Sequence, residues 1–268
     1  MDIKKVITVY FSPVGTTKKA VSAFATGMGL PVEEINLTLP KNRNGFNRSF
    51  AKNELLIAAL PVYAGRLPMY LDDFFTGLKG DDTPAVATVC YGNRDYDDAL
   101  IELKMRLEER RFIVKAAAAF IGQHNFSSKI ATGRPNADDL ATISDFGKRA
   151  LQSIMRDASG QLSFKGTYPF TSNLYDPSLQ EPSPVSTSNQ CTRCGLCADN
   201  CPWGSIDNNN FKTINHAKCF RCFNCVKICP VHAKQITDEK WLASLSGFET
   251  RLNAQRKEPE LFFPGFNQ

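Results

Sequence analysis

Cys191-Thr192-Arg193-Cys194-Gly195-Leu196-Cys197-Ala198-Asp199-Asn200-Cys201-Pro202 returns further along the chain as Cys219-Phe220-Arg221-Cys222-Phe223-Asn224-Cys225-Val226-Lys227-Ile228-Cys229-Pro230. Each copy sets three cysteines two residues apart, a fourth after three more residues, and then a proline. Eight of the nine cysteines of the 268-residue chain lie in these two stretches. Cys90 is the ninth.

The spacing is that of a two-cluster iron–sulfur segment, in which the fourth cysteine of each run ligates the other cluster. Evenly spaced thiolates can wrap one corner of a cubane, and the proline turns the fourth cysteine away. The rule assigns Cys191, Cys194, Cys197 and Cys229 to one [4Fe–4S] cluster. It assigns Cys219, Cys222, Cys225 and Cys201 to a second. Two four-cysteine zinc sites are the alternative, but zinc knuckles present separated Cys-x₂-Cys pairs rather than an even triple. Lys218, Arg221 and Lys227 either tune the second cluster or serve as solvated surface charge. Disulfides are not expected, because no secretory leader precedes the cysteines.

Upstream the pattern is different. Apolar runs at Val6–Phe11, Leu55–Leu60, Ala85–Cys90 and Phe112–Ile121 are nearly continuous, with a weaker one at Val32–Leu37. Such runs suit strands of a parallel sheet buried on both faces. Amphipathic segments separate them: Thr17–Met28, Met69–Leu78, and the Tyr96, Leu100, Leu103, Leu107 series. Asn136 is positioned to cap a last helix carrying Leu140, Ile143, Phe146, Ala150 and Ile154. Alternation of this kind predicts a doubly wound α/β domain over residues 1–156. Residues 157–185 are rich in proline and serine and read as a linker, pinned by Tyr168, Phe170 and Tyr175. A small α+β cluster domain follows at 186–237, then a tail at 238–268 with a helix from Glu239 to Ala254.

The first strand ends in Ser12-Pro13-Val14-Gly15-Thr16-Thr17, and a helix starts at once. Free N–H groups and the helix dipole there favour an anion, and the hydroxyls add donors. In a sheet of order 2-1-3-4-5 a flavin mononucleotide (FMN) sits at the switch point between strands one and three. The next two loops would then flank its ring. They read Pro61-Val62-Tyr63-Ala64-Gly65 and Tyr91-Gly92-Asn93-Arg94-Asp95-Tyr96, supplying aromatic faces, glycines and polar donors.

On these residues the N-terminal half resembles flavodoxins, and the segment around Cys191–Cys229 resembles bacterial-type 2[4Fe–4S] ferredoxins. The whole chain is similar to flavodoxin–ferredoxin fusion proteins of anaerobes. The resemblance implies non-covalent FMN, two [4Fe–4S] clusters and electron transfer with a redox partner protein. Flavodoxins carry a threonine in the middle of the phosphate loop where this chain has Val14.

Cys90 reads first as a small buried hydrophobe and second as a reactive thiol. His124 either faces the flavin or is satisfied by its neighbours, and Arg66 either supports a reduced flavin or faces solvent. A net charge of +5 is scattered rather than striped, and cofactor charge would offset it, so nucleic acid is not expected. No run reaches the ~20 apolar residues of a membrane span, and the expectation is a cytoplasmic protein. Gly27-Met28-Gly29 ends a helix rather than opening one, which disfavours a pyridine-nucleotide site. Two functions stay open: an electron carrier, and an FMN-dependent reductase of a small acceptor fed by the clusters.

Overall fold

The computed structural model describes residues 1–264 together with the backbone of Phe266 and Asn267. Five strands build the main sheet of the first half: β1 (Lys5–Tyr10), β2 (Val32–Asn36), β3 (Glu54–Pro61), β4 (Thr83–Tyr91) and β5 (Phe112–Ile121). They lie parallel in the order β2-β1-β3-β4-β5, the flavodoxin-like order that the resemblance implies. β1, β3 and β4 are buried along nearly their whole length because helices cover both faces.

Alternate residues of each strand feed two cores. Ile7, Val9, Leu56 and Ala58 pack with Leu100, Leu103 and Leu107 of α2 (Ala99–Glu108). Val6, Tyr10, Leu55 and Ile57 pack with Phe24 of α1 (Thr16–Gly27) and Phe146 of α3 (Ala137–Met155). Asn136 and Asp139 form the reciprocal capping box that opens α3. The segment expected as a helix over Met69–Leu78 is shorter, Asp72–Thr76. Tyr70 takes φ 61°, which no helix tolerates, and Leu78 leaves to pair with Arg48.

The linker is tied down by one buried carboxylate. Asp98, just before α2, accepts backbone N–H bonds from Thr167, Thr171 and Ser172. Arg66 is also buried, paired with Glu102, donating to the Ser172 carbonyl and lying 3.9 Å from the Phe170 ring centre. Tyr168 is no anchor, at 67% exposure.

In the cysteine-rich segment β6 (Val185–Thr187) and β7 (Lys234–Ile236) pair antiparallel. A small core of Val185, Ile206, Ile214 and Phe223 lies beneath. Phe126 from the sheet half packs on that core, as does Trp241 of α4 (Glu239–Asn253). The tail then adds β8 (Glu260–Phe263) antiparallel to β5, and β9 (Phe266–Asn267) beyond it. The sheet therefore has seven strands, two more than the upstream pattern specifies, and the tail is part of the fold.

Candidate functional site

A cavity of about 430 Å³ opens at the carboxyl ends of β1, β3, β4 and β5. Ligands bind at this edge of open α/β sheets because loops from both sides of the switch point converge there.

The β1 loop contributes Ser12, Val14, Thr16 and Thr17 to the lining. Gly15 is left-handed at φ 83° and caps α1, which turns the chain sharply. Ser12 accepts the Lys18 N–H and donates its own N–H to Thr38, so the loop is held from both ends. The first turn of α1 leaves N–H groups without helical acceptors. This cradle fits a phosphate.

The β3 loop contributes Pro61, Val62, Tyr63 and Ala64. Tyr63 and Arg66 exchange backbone bonds at 2.9 and 3.0 Å, forming a tight turn with Ala64 and Gly65 at its tip. Gly65 does not line the cavity; it packs on Asp97, where a Cβ would come within 2.9 Å of that side chain's Cβ. The β4 loop contributes Tyr91, Gly92 and Arg94, with Arg94 ion-paired to Asp97.

Besides Gly15 and Gly65, neither of which lines the cavity, two more expected flavin contacts are placed elsewhere. Tyr96 is fully buried in the sheet core, edge-on to Tyr91 and under the Lys165 ammonium. Asn93 holds the tail, donating to the Leu252 and Gln255 carbonyls and accepting from Lys257 N–H. Arg66 neither faces solvent nor reaches the cavity, since its guanidinium is committed to Glu102 and the linker. Of the two expectations for Arg221, solvated surface charge does not hold, since it is buried over the Trp241 ring.

The β5 loop adds Gly122, Gln123, His124, Asn125 and Phe126. Burial pushes the His124 ring down to about 4, helped by the Lys227 and Arg94 charges, so it is neutral at ordinary pH. Its Nδ1 accepts the Phe126 N–H, which leaves the proton on Nε2 as a donor. Cys90 also borders the cavity, and burial pushes its thiol up to about 12 against the opposing Thr17 hydrogen bond. That is an inert thiol.

Three further walls come from beyond residue 156: Tyr175 of the linker, Phe220 of the second cysteine run and Phe248 of α4. Phe220 had a signal in the sequence, being next to Cys219; Phe248 had none.

The eight cysteines border two small cavities. Cys191, Cys194, Cys197 and Cys229 border one small cavity. Cys201, Cys219, Cys222 and Cys225 border another, together with Phe220, Trp203 and Cys197. Among the described residues no three His, Cys, Asp or Glu side chains converge on the position of a single ion. Each quartet instead surrounds a volume, and an all-thiol donor set suits iron–sulfur chemistry.

Residues 183–230 match the family model described as a 4Fe-4S dicluster domain. Among solved structures, a flavodoxin from the domain Archaea is 15% identical, covering 56% of this chain and 99% of its own, with a TM-score of 0.39. Megasphaera elsdenii flavodoxin in its two-electron reduced form is 18% identical, covering 55% and 98%, with a TM-score of 0.38. A short-chain flavodoxin associated with a non-canonical PDU bacterial microcompartment is 10% identical, covering 59% and 100%, with a TM-score of 0.40. At these values they stand as likenesses, and the fold assignment rests on the strand order. No curated protein matches the chain. The chain thus joins a flavodoxin-like α/β sheet to a 4Fe-4S dicluster segment.

Proposed function

We propose that the protein is an electron-transfer iron–sulfur flavoprotein holding FMN and two [4Fe–4S] clusters. The observation that carries this reading is one wall, Phe220, shared by the switch-point cavity and the cavity of the second cysteine quartet.

Ser12, Thr16 and Thr17 at the start of α1 would hold the FMN phosphate, and Tyr63, Tyr91 and Gly92 would border the ring. Bound, the clusters supply one-electron transfer and the flavin joins one- to two-electron chemistry. The chain's own part is to fix distances and exclude water. Tyr63, Tyr175, Phe220, Phe126 and Phe248 close the apolar side of the cavity. His124 offers an Nε2 proton as a hydrogen bond and no charge. Cys194, the exposed member of the first quartet, marks the side open to a redox partner protein.

A reductase is the second reading, favoured by a further cavity of about 420 Å³ bordered by Trp241, Leu245 and Arg251. It shares Phe126 and Phe248 with the first and offers room for a small acceptor.

The test is an anaerobic visible spectrum of the purified protein, with iron, sulfide and acid-released FMN measured on the same sample. About eight irons and eight sulfides with about one FMN support the proposal. Full clusters that take up no added FMN would recast residues 1–156 as a docking domain. Zinc in place of iron would sink it.

A further inference from the structure

Three buried donors without acceptors meet at the wall between the switch-point cavity and the second cysteine quartet. They are the Tyr63 and Tyr175 hydroxyls and the Trp203 indole N–H. Phe220 is their common neighbour. It stacks on Trp203 at 4.1 Å and 9°, and meets Tyr63 at 5.7 Å and Tyr175 at 5.8 Å between ring centres. Its chain neighbour Cys219 belongs to the second quartet.

A buried hydroxyl left unpaired forfeits the full value of its lost hydrogen bond to water. Folded proteins show few such groups, and each one calls for an explanation. Two phenols and an indole at a single wall point to an acceptor that the polypeptide itself does not provide. The neighbourhood indicates sulfur. Phe220, on which both tyrosine rings pack, borders the cavity of the second quartet together with Cys219 and Cys222. The cavity of the first quartet is bordered by Phe211 and Lys234 and, among the described residues, by no tyrosine or tryptophan.

We propose that the Tyr63 and Tyr175 hydroxyls donate hydrogen bonds to sulfur of the centre held by Cys201, Cys219, Cys222 and Cys225, making it the easier of the two centres to reduce. This rests on the iron–sulfur reading above and goes beyond it by assigning two residues outside the ligand set. Hydrogen bonds to cluster sulfurs stabilise the added electron and raise the reduction potential. The first centre lacks these donors and keeps the lower potential. An electron entering there, on the side where Cys194 is exposed, then moves downhill to the centre beside the cavity. Tyr63 and Tyr175 are positioning residues in this scheme; neither is consumed.

The test is EPR-monitored redox titration of the full-length iron- and sulfide-loaded protein, with Tyr63→Phe and Tyr175→Phe beside the parent. Each substitution removes one oxygen and keeps the ring. In each variant one centre should shift to lower potential while the other stays, and the same centre should move in both. Pulsed EPR of the reduced protein in D₂O should show an exchangeable deuteron coupling that Tyr63→Phe removes. If Tyr63→Phe does not fold, Tyr175→Phe carries the same expectation alone. Unchanged potentials at parental iron and sulfide content overturn the inference and leave the iron–sulfur reading intact. Equal movement of both centres, or movement of the FMN potential alone, overturns it as well. Failure to bind iron at all would strike the underlying reading first, and this inference would fall with it.

Discussion

The Arg43 guanidinium donates through Nη2 to the Pro202 carbonyl at 3.3 Å, one residue past Cys201. Its Nη1 donates to the Leu37 and Thr38 carbonyls at 3.1 and 2.9 Å, and Asp73 lies 3.4 Å from Nε. Phe11, beneath the guanidinium, meets Trp203 edge-on at 5.0 Å. The end of β1 is thereby joined to the turn that carries a second-quartet cysteine.

Replacing Arg43 with Met keeps the stem and removes every donor. Hydrogen bonds to charged groups contribute about 1.5–3 kcal/mol each, so the variant should lose on the order of 3 kcal/mol. Urea unfolding measures the loss, and limited proteolysis should cut faster between residues 157 and 185. An unmoved midpoint would mean that Arg43 does not join the two halves.

Asp98 makes the linker sensitive to acid. Burial pushes its carboxyl up, but the N–H donors of Ser172, Thr167 and Thr171 outweigh burial and hold it at about 2. Unfolded aspartate titrates near ~3.9, so its contribution is complete above that pH and is lost as pH falls toward 2. The contribution is about 2 kcal/mol. Asp98→Asn should cost about that much at neutral pH and flatten the acid limb of stability, read by thermal unfolding from pH 2 to 7. An acid limb identical to the parent's would refute the assignment.

At Gly122 a Cβ would lie 2.1 Å from Thr16 Cγ2 and 3.2 Å from Cys90 Sγ. The β5 loop thus leans directly on the start of α1. Gly122→Ala should push Thr16 aside and weaken FMN binding by about tenfold, or about 1.4 kcal/mol. Fluorescence titration of the flavin-free protein with FMN measures this. Affinity equal to the parent's would remove Thr16 from the binding loop.

Asn93 tethers the tail that carries Phe248 over the cavity. Asn93→Ala should strand two carbonyls and destabilise the protein by about 1–3 kcal/mol. It should also expose bound flavin, visible as stronger iodide quenching of flavin fluorescence. Quenching unchanged from the parent would show that the tail does not cover the site.

Much of this architecture was legible in residue order. Continuous apolar runs marked four of the five parallel strands, because a strand buried on both faces tolerates no polar alternation, whereas the exposed edge strand β2 gave a weaker signal. Asn136 marked the start of α3, because the capping bond is local. The places of Tyr96 and Asn93 were not legible in residue order, for a shared reason. A loop beside a predicted site has two faces, and chain order does not say which one meets the ligand. Tyr96 turned inward to the core and Asn93 outward to a tail some 160 residues away in the chain. Arg66 was hidden in the same way, since its partners Glu102 and Ser172 come from α2 and the linker.

The sequence by itself determined the alternation of strands and helices upstream and the repeated cysteine spacing downstream, because each is written in short stretches of the chain. Only the tertiary structure decided how the two halves meet. It set Phe220 between the two cavities, brought Tyr63 and Tyr175 to one wall, folded Phe248 over the opening and added β8 to the sheet. Those contacts arise from packing between segments far apart in the chain, and packing leaves no periodic trace in the order of residues.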